Sequence, residues 1–240
     1  MYPNNRPRWP IYLSGFALAF ALGFGAAWLL KPNGPARSTS SESSRHPSLP
    51  VVIQRVEYPP LNPSKSAGCP AEAEYQELER ASSPTPETVQ ALARQWTAHL
   101  PGGPLHVAQL VAVADSLMHK WSYRNDPTHL DALKPASRAI IEGFQGDCED
   151  FAASGAALVQ ALGGRVRVIK AWRGDEGHSW LEVNLGKLPL DYRQVGSHSV
   201  YEQEGQCWLR VDWSCRQGTC FEPDRGLVFD LSEKSCHTLP

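Results

Sequence analysis

The chain has 240 residues and a formal net charge of −2 at pH 7. Arg6 and Arg8 carry the only side-chain charges of the first thirty residues, so from residue 31 onward 21 Lys and Arg oppose 25 Asp and Glu, a net charge of −4. A slightly acidic surface does not attract a phosphate backbone. We therefore expect no nucleic-acid partner.

The first predicted element is a transmembrane helix. Residues 11–30, IYLSGFALAFALGFGAAWLL, contain no charge, and a helix of this length spans about 30 Å, the thickness of a bilayer core. We predict an uncleaved anchor rather than a cleaved signal peptide, because no small-residue cleavage site follows the run. The positive residues before it place residues 1–10 in the cytoplasm and the rest of the chain in the periplasm or outside the cell.

The remaining chain divides into a linker and one domain. Residues 31–68 are rich in Pro and Ser, a composition typical of a spacer that buries little surface. Residues 69–240 are long enough for one well-packed domain and too short for two.

Helices are predicted in the first part of this domain. The segment PTPETVQALARQWTAHLPGG predicts a helix with Thr85 as N-cap and Pro86 at the first helical position. A second helix is predicted over about 105–121, where apolar residues share one face, and a short one over 136–142.

The segment 143–164, GFQGDCEDFAASGAALVQALGG, predicts a helix that begins next to a cysteine. Gly146 and Asp147 form a turn signal, and the apolar residues that follow have helical spacing up to the closing glycine pair. Cys148 then lies in the first turn, where free N–H groups and the helix dipole favour a thiolate. The alternative is a buried structural cysteine or half of a disulfide.

After this helix the apolar period changes to two. Four segments alternate or run apolar like strands: 165–172, 178–184, 207–213 and 226–231. Helices followed by a run of strands indicate an α+β domain with a mainly antiparallel sheet, on which the Cys148 helix packs.

Six cysteines in an extracytoplasmic domain predict disulfides. Cys215 and Cys220 bracket a turn-like stretch and can meet, whereas an extended strand separates Cys207 from Cys215 beyond disulfide reach. If Cys148 is free, five cysteines remain, so one of these is also unpaired. The sequence does not determine which cysteines form a disulfide besides Cys215 and Cys220. The spacings do not favour a four-cysteine zinc site.

A thiol nucleophile needs a base and a group that orients the base. Strand alternation in GHSWLEV places His178, Trp180 and Glu182 on one face, and alternation in CWLRVDW places Arg210 and Asp212 on one face. If the two strands are neighbours, Cys148, His178 and Asp212 can form a catalytic triad.

Three ordered motifs, GDCEDFAASGAALVQALGGRVRVIKAW, GHSWLEV and WLRVD, with WSYRNDP upstream, resemble the core of the transglutaminase-like superfamily in its bacterial branch, over about residues 105–215. The resemblance implies a papain-like fold with Cys148 as nucleophile, His178 as base and Asp212 as the orienting residue. It does not imply one substrate, because relatives cross-link proteins, cleave peptides or amides, or have lost activity.

Asp191 is an alternative third member of the triad, because relatives usually follow the histidine strand with a short hairpin. We favour Asp212, since Trp208 supplies the expected aromatic residue four positions earlier, where Asp191 has Lys187. The segment 185–206 is then predicted to be an inserted surface loop near the cleft, able to face the substrate.

Two further sets of candidate residues surround Cys148. The acids Asp147, Glu149 and Asp150 are expected to complement the helix dipole, with Asp147 and Glu149 pointing away from the sulfur or neutralised. Relatives with similar acids imply calcium binding as an alternative, and we otherwise expect no cofactor. For the oxyanion, the backbone N–H of Cys148 is the natural donor, and Gln145 or Trp121 is a candidate for the second.

Together these features predict a membrane-anchored extracytoplasmic thiol enzyme that acts on a protein or peptide substrate at peptide or carboxamide bonds. Hydrolysis is favoured over cross-linking, because the resemblance includes bacterial proteinases. The main alternative is an inactive binding module of the cell envelope, which predicts an unreactive or disulfide-bonded Cys148. A second alternative is an envelope-organising protein that works through its anchor and linker.

Overall fold

The computed structural model describes residues 69–101, 105–126, 132–187, 194–196, 198–217 and 220–239. The predicted anchor 11–30, the linker 31–68 and Asp191 lie outside these ranges. Within them, no helix combines the length and apolarity that crossing a bilayer requires. The membrane anchor therefore stays a prediction.

Five α-helices are described: α1 Glu72–Ala81, α2 Glu87–Thr97, α3 Val107–Lys120, α4 Ala136–Ile141 and α5 Cys148–Ala161. A short 3-10 helix, Trp213–Gln217, follows Asp212. Helices α2 to α5 match predicted helices, but the N-cap of α2 was predicted one residue early. Pro86 has an extended backbone (φ −57°, ψ 135°), so the helix begins at Glu87. The Thr85 hydroxyl instead forms a hydrogen bond with that of Ser83, at 2.9 Å.

The strands form two sheets. A short parallel pair joins β1 Ser122–Tyr123 to β2 Gln145–Gly146. The main sheet contains β3 Val166–Arg173, β4 Glu176–Gly186, β5 Val200–Gln203, β6 Gln206–Val211, β7 Arg225–Asp230 and β8 Ser235–Thr238. Its strand order is β5-β6-β4-β3-β7-β8, and all neighbours are antiparallel. The predicted α+β class with an antiparallel sheet is confirmed.

Part of the predicted loop 185–206 is strand. β4 continues to Gly186, and β5 forms a hairpin with β6 through Glu204 and Gly205, whose φ angles are 52° and 72°. Tyr201 on β5 is buried, at 6% exposure. The loop prediction was wrong for 200–203 because pairing with β6 and burial of Tyr201 outweigh a weak local pattern.

Helix α5 lies at the centre of the domain, between the other helices and one face of the sheet. Its residues from Asp150 to Val159 are all buried. Gly155 permits this close packing, because a Cβ there would lie 2.6 Å from Leu181 Cδ2 and 2.9 Å from Leu117 Cδ2. The helix is thus fixed between α3 and β4.

Two disulfides stabilise the described part of the domain. Cys215 pairs with Cys220, as predicted, and Cys69 pairs with Cys236, which joins the start of α1 to β8. Cys148 and Cys207 are free. The prediction of one further free thiol in addition to Cys148 is therefore confirmed.

Candidate active site

Cys148 is the first residue of α5, where the sequence predicted it. Gly143 and Phe144 have positive φ angles of 86° and 64°, so the chain turns sharply between α4 and β2. The Asp147 side chain then caps the helix, since its Oδ1 accepts hydrogen bonds from the backbone N–H groups of Glu149 (2.9 Å) and Asp150 (3.2 Å). The N–H of Cys148 itself has no acceptor within the helix.

His178 lies near the start of β4 and joins two candidate residues. Its Nε2 is 2.9 Å from Asp212 Oδ1, and Cys148 lies near enough to its ring to affect its pKa. Burial would lower the pKa of His178, but the hydrogen bonds and charges of Asp212 and Cys148 outweigh it and raise the pKa to about 9. The structure therefore favours an imidazolium beside the Cys148 sulfur at neutral pH.

Asp212 follows directly after β6 and is 1% exposed. Its Oδ1 also accepts from the backbone N–H (2.9 Å) and hydroxyl (2.7 Å) of Ser214, and its Oδ2 accepts from Arg210 Nε at 3.1 Å. Burial alone would raise the pKa of this carboxyl, but the hydrogen bond and charge of His178, with Arg210 and Ser214, lower it to about 2. Asp212 is therefore a carboxylate at neutral pH that hydrogen-bonds His178. Asp191 lies outside the described residues, so the choice of Asp212 as the third member of the triad stays a prediction.

Arg210 is itself held by a second layer of contacts. Its guanidinium lies 4.2 Å above the Trp180 ring, and one of its nitrogens donates to the Phe221 carbonyl at 2.9 Å. Trp180 Nε1 donates to Glu182 Oε1 at 3.1 Å, and Glu182 pairs with Arg167 at 2.6 Å, with all of these groups largely buried. Alternation along the strands had placed Trp180, Glu182 and Arg210 on the face of His178, but their contacts were not predicted.

Sequence reasoning missed one residue at the thiol, Tyr123 on β1. Burial and the charge of the nearby Cys148 raise the pKa of Tyr123 to about 12, and its ring packs on that of Trp213 with centroids 5.1 Å apart. The available signal was the motif WSYRNDP, in which the position of this tyrosine relative to the cysteine is set only by the β1–β2 pairing.

The two side chains predicted as second oxyanion donors have other acceptors. Trp121 is 4% exposed, and its Nε1 donates to the Gly146 carbonyl at 3.2 Å. Gln145 Nε2 donates to the Glu142 carbonyl at 3.3 Å. Both donors are thus engaged by the backbone that leads into α5.

The three acids around Cys148 have partners within the protein. Asp147 caps α5, Glu149 Oε1 lies 2.9 Å from Lys170 Nζ, and Asp150 Oδ1 accepts from the Lys134 backbone N–H at 2.7 Å. Across the described ranges, no group of three His, Cys, Asp or Glu is arranged to hold a metal ion. The calcium alternative therefore stays a prediction, and the reaction proposed below depends on no metal.

Chelation tests the calcium alternative directly. Because these carboxylates already cap a helix or contact a lysine, we expect EDTA to leave the melting temperature of the full chain unchanged. Differential scanning fluorimetry with EDTA, and again after adding excess Ca²⁺, measures this. A melting temperature that falls with EDTA and recovers with Ca²⁺ would contradict the expectation and support a metal site.

The family model of the transglutaminase-like superfamily matches residues 82–213, which is more than half of the chain. No curated protein matches the chain.

Three solved structures are similar at low identity. A candidate protease from Parabacteroides distasonis is 11% identical, with a TM-score of 0.38, over 46% of this chain and 24% of its own. A candidate cysteine protease from Cytophaga hutchinsonii is 14% identical, with a TM-score of 0.36, over 75% of this chain and 59% of its own. Calcium-bound LapG of Legionella pneumophila is 16% identical, with a TM-score of 0.32, over 68% of this chain and 78% of its own.

The chain thus spans less than two thirds of the length of the first two of these structures. The family match itself contains Cys148 in the first turn of α5, His178 on β4 and Asp212 after β6. On the strength of that match, this chain belongs to the transglutaminase-like superfamily.

Proposed function

We propose that the chain is a thiol enzyme that cleaves peptide or carboxamide bonds by acyl transfer to Cys148 and then to water. The observation that carries this proposal is the position of His178, which hydrogen-bonds Asp212 and lies near the Cys148 side chain. A nucleophile next to a base that is held by an orienting carboxylate is the arrangement that activates a thiol.

The first step forms a bond between Cys148 Sγ and the substrate carbonyl carbon. The electron pair of the carbonyl bond moves to its oxygen, which becomes an oxyanion. The N–H of Cys148 lies at the positive end of α5 and is placed to stabilise that charge.

The second step breaks the bond to the leaving amine. His178, with its pKa raised to about 9, is protonated at neutral pH and gives this proton to the amine nitrogen. The neutral imidazole then takes a proton from water, which attacks the thioester and releases the carboxylic acid and the Cys148 thiolate. Asp212 stays ionised throughout and holds the imidazole through Nε2.

The free state of Cys148 supports an enzyme over a binding module. Four of the six cysteines form disulfides, and Cys148 is free and only partly buried. The two disulfides also support an oxidising compartment, in keeping with the proposed anchor 11–30 and a periplasmic or extracellular domain. For the choice of water over an amine, the support is the sequence resemblance to bacterial proteinases.

An acylation experiment on the full chain tests this function. We expect p-nitrophenyl acetate to transfer its acetyl group to Cys148, seen by peptide mass spectrometry, and to be turned over without an added amine, because water resolves the thioester. Adding glycine ethyl ester in a parallel reaction measures transfer to an amine. An unmodified Cys148 would contradict the enzyme proposal, and turnover that requires the amine would replace hydrolysis by cross-linking.

A further inference from the structure

The Cys215–Cys220 disulfide lies beside the residues that orient the proposed base. Cys215 follows Ser214, which donates to Asp212 Oδ1 from its backbone N–H (2.9 Å) and from its hydroxyl (2.7 Å). Cys215 also donates its own backbone N–H to the Asp212 carbonyl, at 3.2 Å. One end of the disulfide is therefore attached to the turn that presents the carboxylate.

The other end of the disulfide leads into Phe221, which contacts the base. Phe221 is 7% exposed, and its ring centroid lies 5.2 Å from that of His178. The Phe221 carbonyl accepts a hydrogen bond from Arg210 at 2.9 Å, and Arg210 Nε donates to Asp212 Oδ2 at 3.1 Å. Phe221 thus contacts both the imidazole and the cation that pairs with its carboxylate.

The imidazole of His178 needs contacts beyond Asp212 to keep its orientation. A single hydrogen bond through Nε2 lets a ring tilt about that bond, whereas proton transfer requires a fixed direction toward the reacting atoms. Two aromatic rings restrict this tilt, Trp180 with a centroid distance of 6.0 Å and Phe221 at 5.2 Å. Trp180 is fixed by the pairing of β4 with β3, so the question is what fixes Phe221.

Phe221 lies in the segment 220–224, which belongs to no helix or strand. At the end of this segment, the backbone N–H of Asp224 donates to the Trp172 carbonyl at 2.8 Å. At its start, the disulfide ties it to the turn after β6. Removing the disulfide therefore leaves the start of the segment without its covalent tie, and the aromatic ring can move away from the imidazole.

The spacing of the two disulfides separates a local role from a global one. Cys215 and Cys220 are 5 positions apart, whereas Cys69 and Cys236 are 167 positions apart. A cross-link stabilises a protein more when it closes a longer loop, because it removes more conformational freedom from the unfolded chain. The short disulfide thus contributes less to the free energy of unfolding than the long one.

We propose that the short disulfide is a positioning element of the active site, which keeps Phe221 against His178 and so orients the imidazole for proton transfer. Phe221 is a positioning residue, because it acts on the reaction through His178. The disulfide itself stays intact during turnover. This inference rests on the proposed acyl transfer and adds to it a covalent support for the base.

Removing the short disulfide in the full chain tests this role. Cys215→Ser combined with Cys220→Ser breaks the bridge and creates no new thiol. We expect hydrolysis of the acetyl group on Cys148, for which His178 takes a proton from water, to slow by about 10–10²-fold, the order of loss that follows from a misplaced catalytic group. The plateau rate of iodoacetamide alkylation at high pH needs only the thiolate and should stay within a few fold of the wild type.

The acetyl group comes from p-nitrophenyl acetate, and its loss from Cys148 is followed over time by peptide mass spectrometry. A further variant, Phe221→Leu, keeps the disulfide and an apolar side chain but removes the aromatic ring beside the imidazole. Its deacylation should slow in the same way, again with little change in alkylation.

The matched control is Cys69→Ser combined with Cys236→Ser, because no contact in the described part of the chain joins this disulfide to Cys148, His178 or Asp212. The melting temperature of the control should fall further than that of the variant without the short disulfide. Its deacylation rate, measured well below both melting temperatures, should equal that of the wild type.

The outcomes distinguish the inference from the function on which it rests. Slower deacylation with unchanged alkylation, both without the short disulfide and in Phe221→Leu, supports the inference. Unchanged deacylation in either variant overturns it. Equal losses in both disulfide variants, or failure of the variant without the short disulfide to fold, would assign this disulfide to stability and overturn it as well. The acyl-transfer function stands in each of these cases, whereas a wild-type protein that is alkylated but never acetylated overturns that function too.

Discussion

Replacing Cys148 with alanine is expected to lower hydrolysis of p-nitrophenyl acetate, and of any peptide substrate, by about 10⁶-fold, because removal of a triad nucleophile leaves only substrate binding and oxyanion stabilisation. The fold should remain intact. Alanine is a strong helix former, and the cap of α5 comes from the side chain of Asp147. Steady-state rates, with circular dichroism and the melting temperature measured on the same preparations, test both parts of this prediction.

The second free cysteine provides a matched control. Cys207 lies on β6 and is 2% exposed, and burial, aided by the charge of Glu202, raises the pKa of its thiol. Cys207→Ala should therefore keep the wild-type rate. If Cys148→Ala retained activity while Cys207→Ala lost it, the assignment of the nucleophile would be wrong.

Replacing His178 with alanine is expected to lower kcat/KM by about 10²–10⁴-fold, the usual contribution of a general acid and base. The variant loses the proton donor for the leaving amine and the partner of the thiolate. Alkylation of Cys148 by iodoacetamide at neutral pH should slow as well, because the variant lacks the neighbouring base that activates the thiol. Full pH profiles of both rates, for wild type and variant, measure these effects.

The pH dependence of stability follows from the same residue. Because the pKa of His178 is raised from 6.5 to about 9, the protonated form stabilises the folded protein fully below pH 6.5, and this contribution is lost as the pH rises through about 9. The melting temperature of the wild type should therefore decrease over this range. His178→Ala should lack this part of the decrease, so identical pH profiles of the two proteins would contradict the raised pKa.

His198 offers the control for this histidine. Its Nε2 lies 2.7 Å from Asp115 Oδ1, so it too belongs to a His–Asp pair. Asp115 lies on α3 and His198 lies before β5, so this pair is not the one next to Cys148. His198→Ala should leave kcat/KM within a few fold of the wild type. A loss equal to that of His178→Ala would mean that the assay reports general stability rather than proton transfer.

The start of α5 could be predicted from the sequence because its signals are local. The turn at Gly146 and Asp147 and the helical spacing after Phe151 lie within a few residues of Cys148. The same holds for the face shared by His178 and Glu182, since alternation along an extended strand is a property of the backbone. In both places, neighbouring residues in the chain determine the geometry.

Helix α1 and strands β5 and β8 were not predicted, because they depend on partners distant in the chain. The segment of α1 is rich in Glu, and it is held by contact of Tyr75 with Phe229 on β7 and by the Cys69–Cys236 disulfide. Strand β8 is only four residues long and is defined by its pairing with β7. Their local patterns are too weak to specify structure without these contacts.

By itself the sequence determined the fold class, the helix that begins at Cys148 and the candidate residues His178 and Asp212, because periodicity and turn residues act over short distances. The tertiary structure alone decided what surrounds them: Tyr123 near Cys148, and Ser214 and Arg210 on the buried carboxylate of Asp212. These contacts join β1, α5, β4 and the turn after β6. Side chains from such separate segments meet only when the packing of the helices and the sheet fixes their relative positions, so no local pattern encodes their contacts.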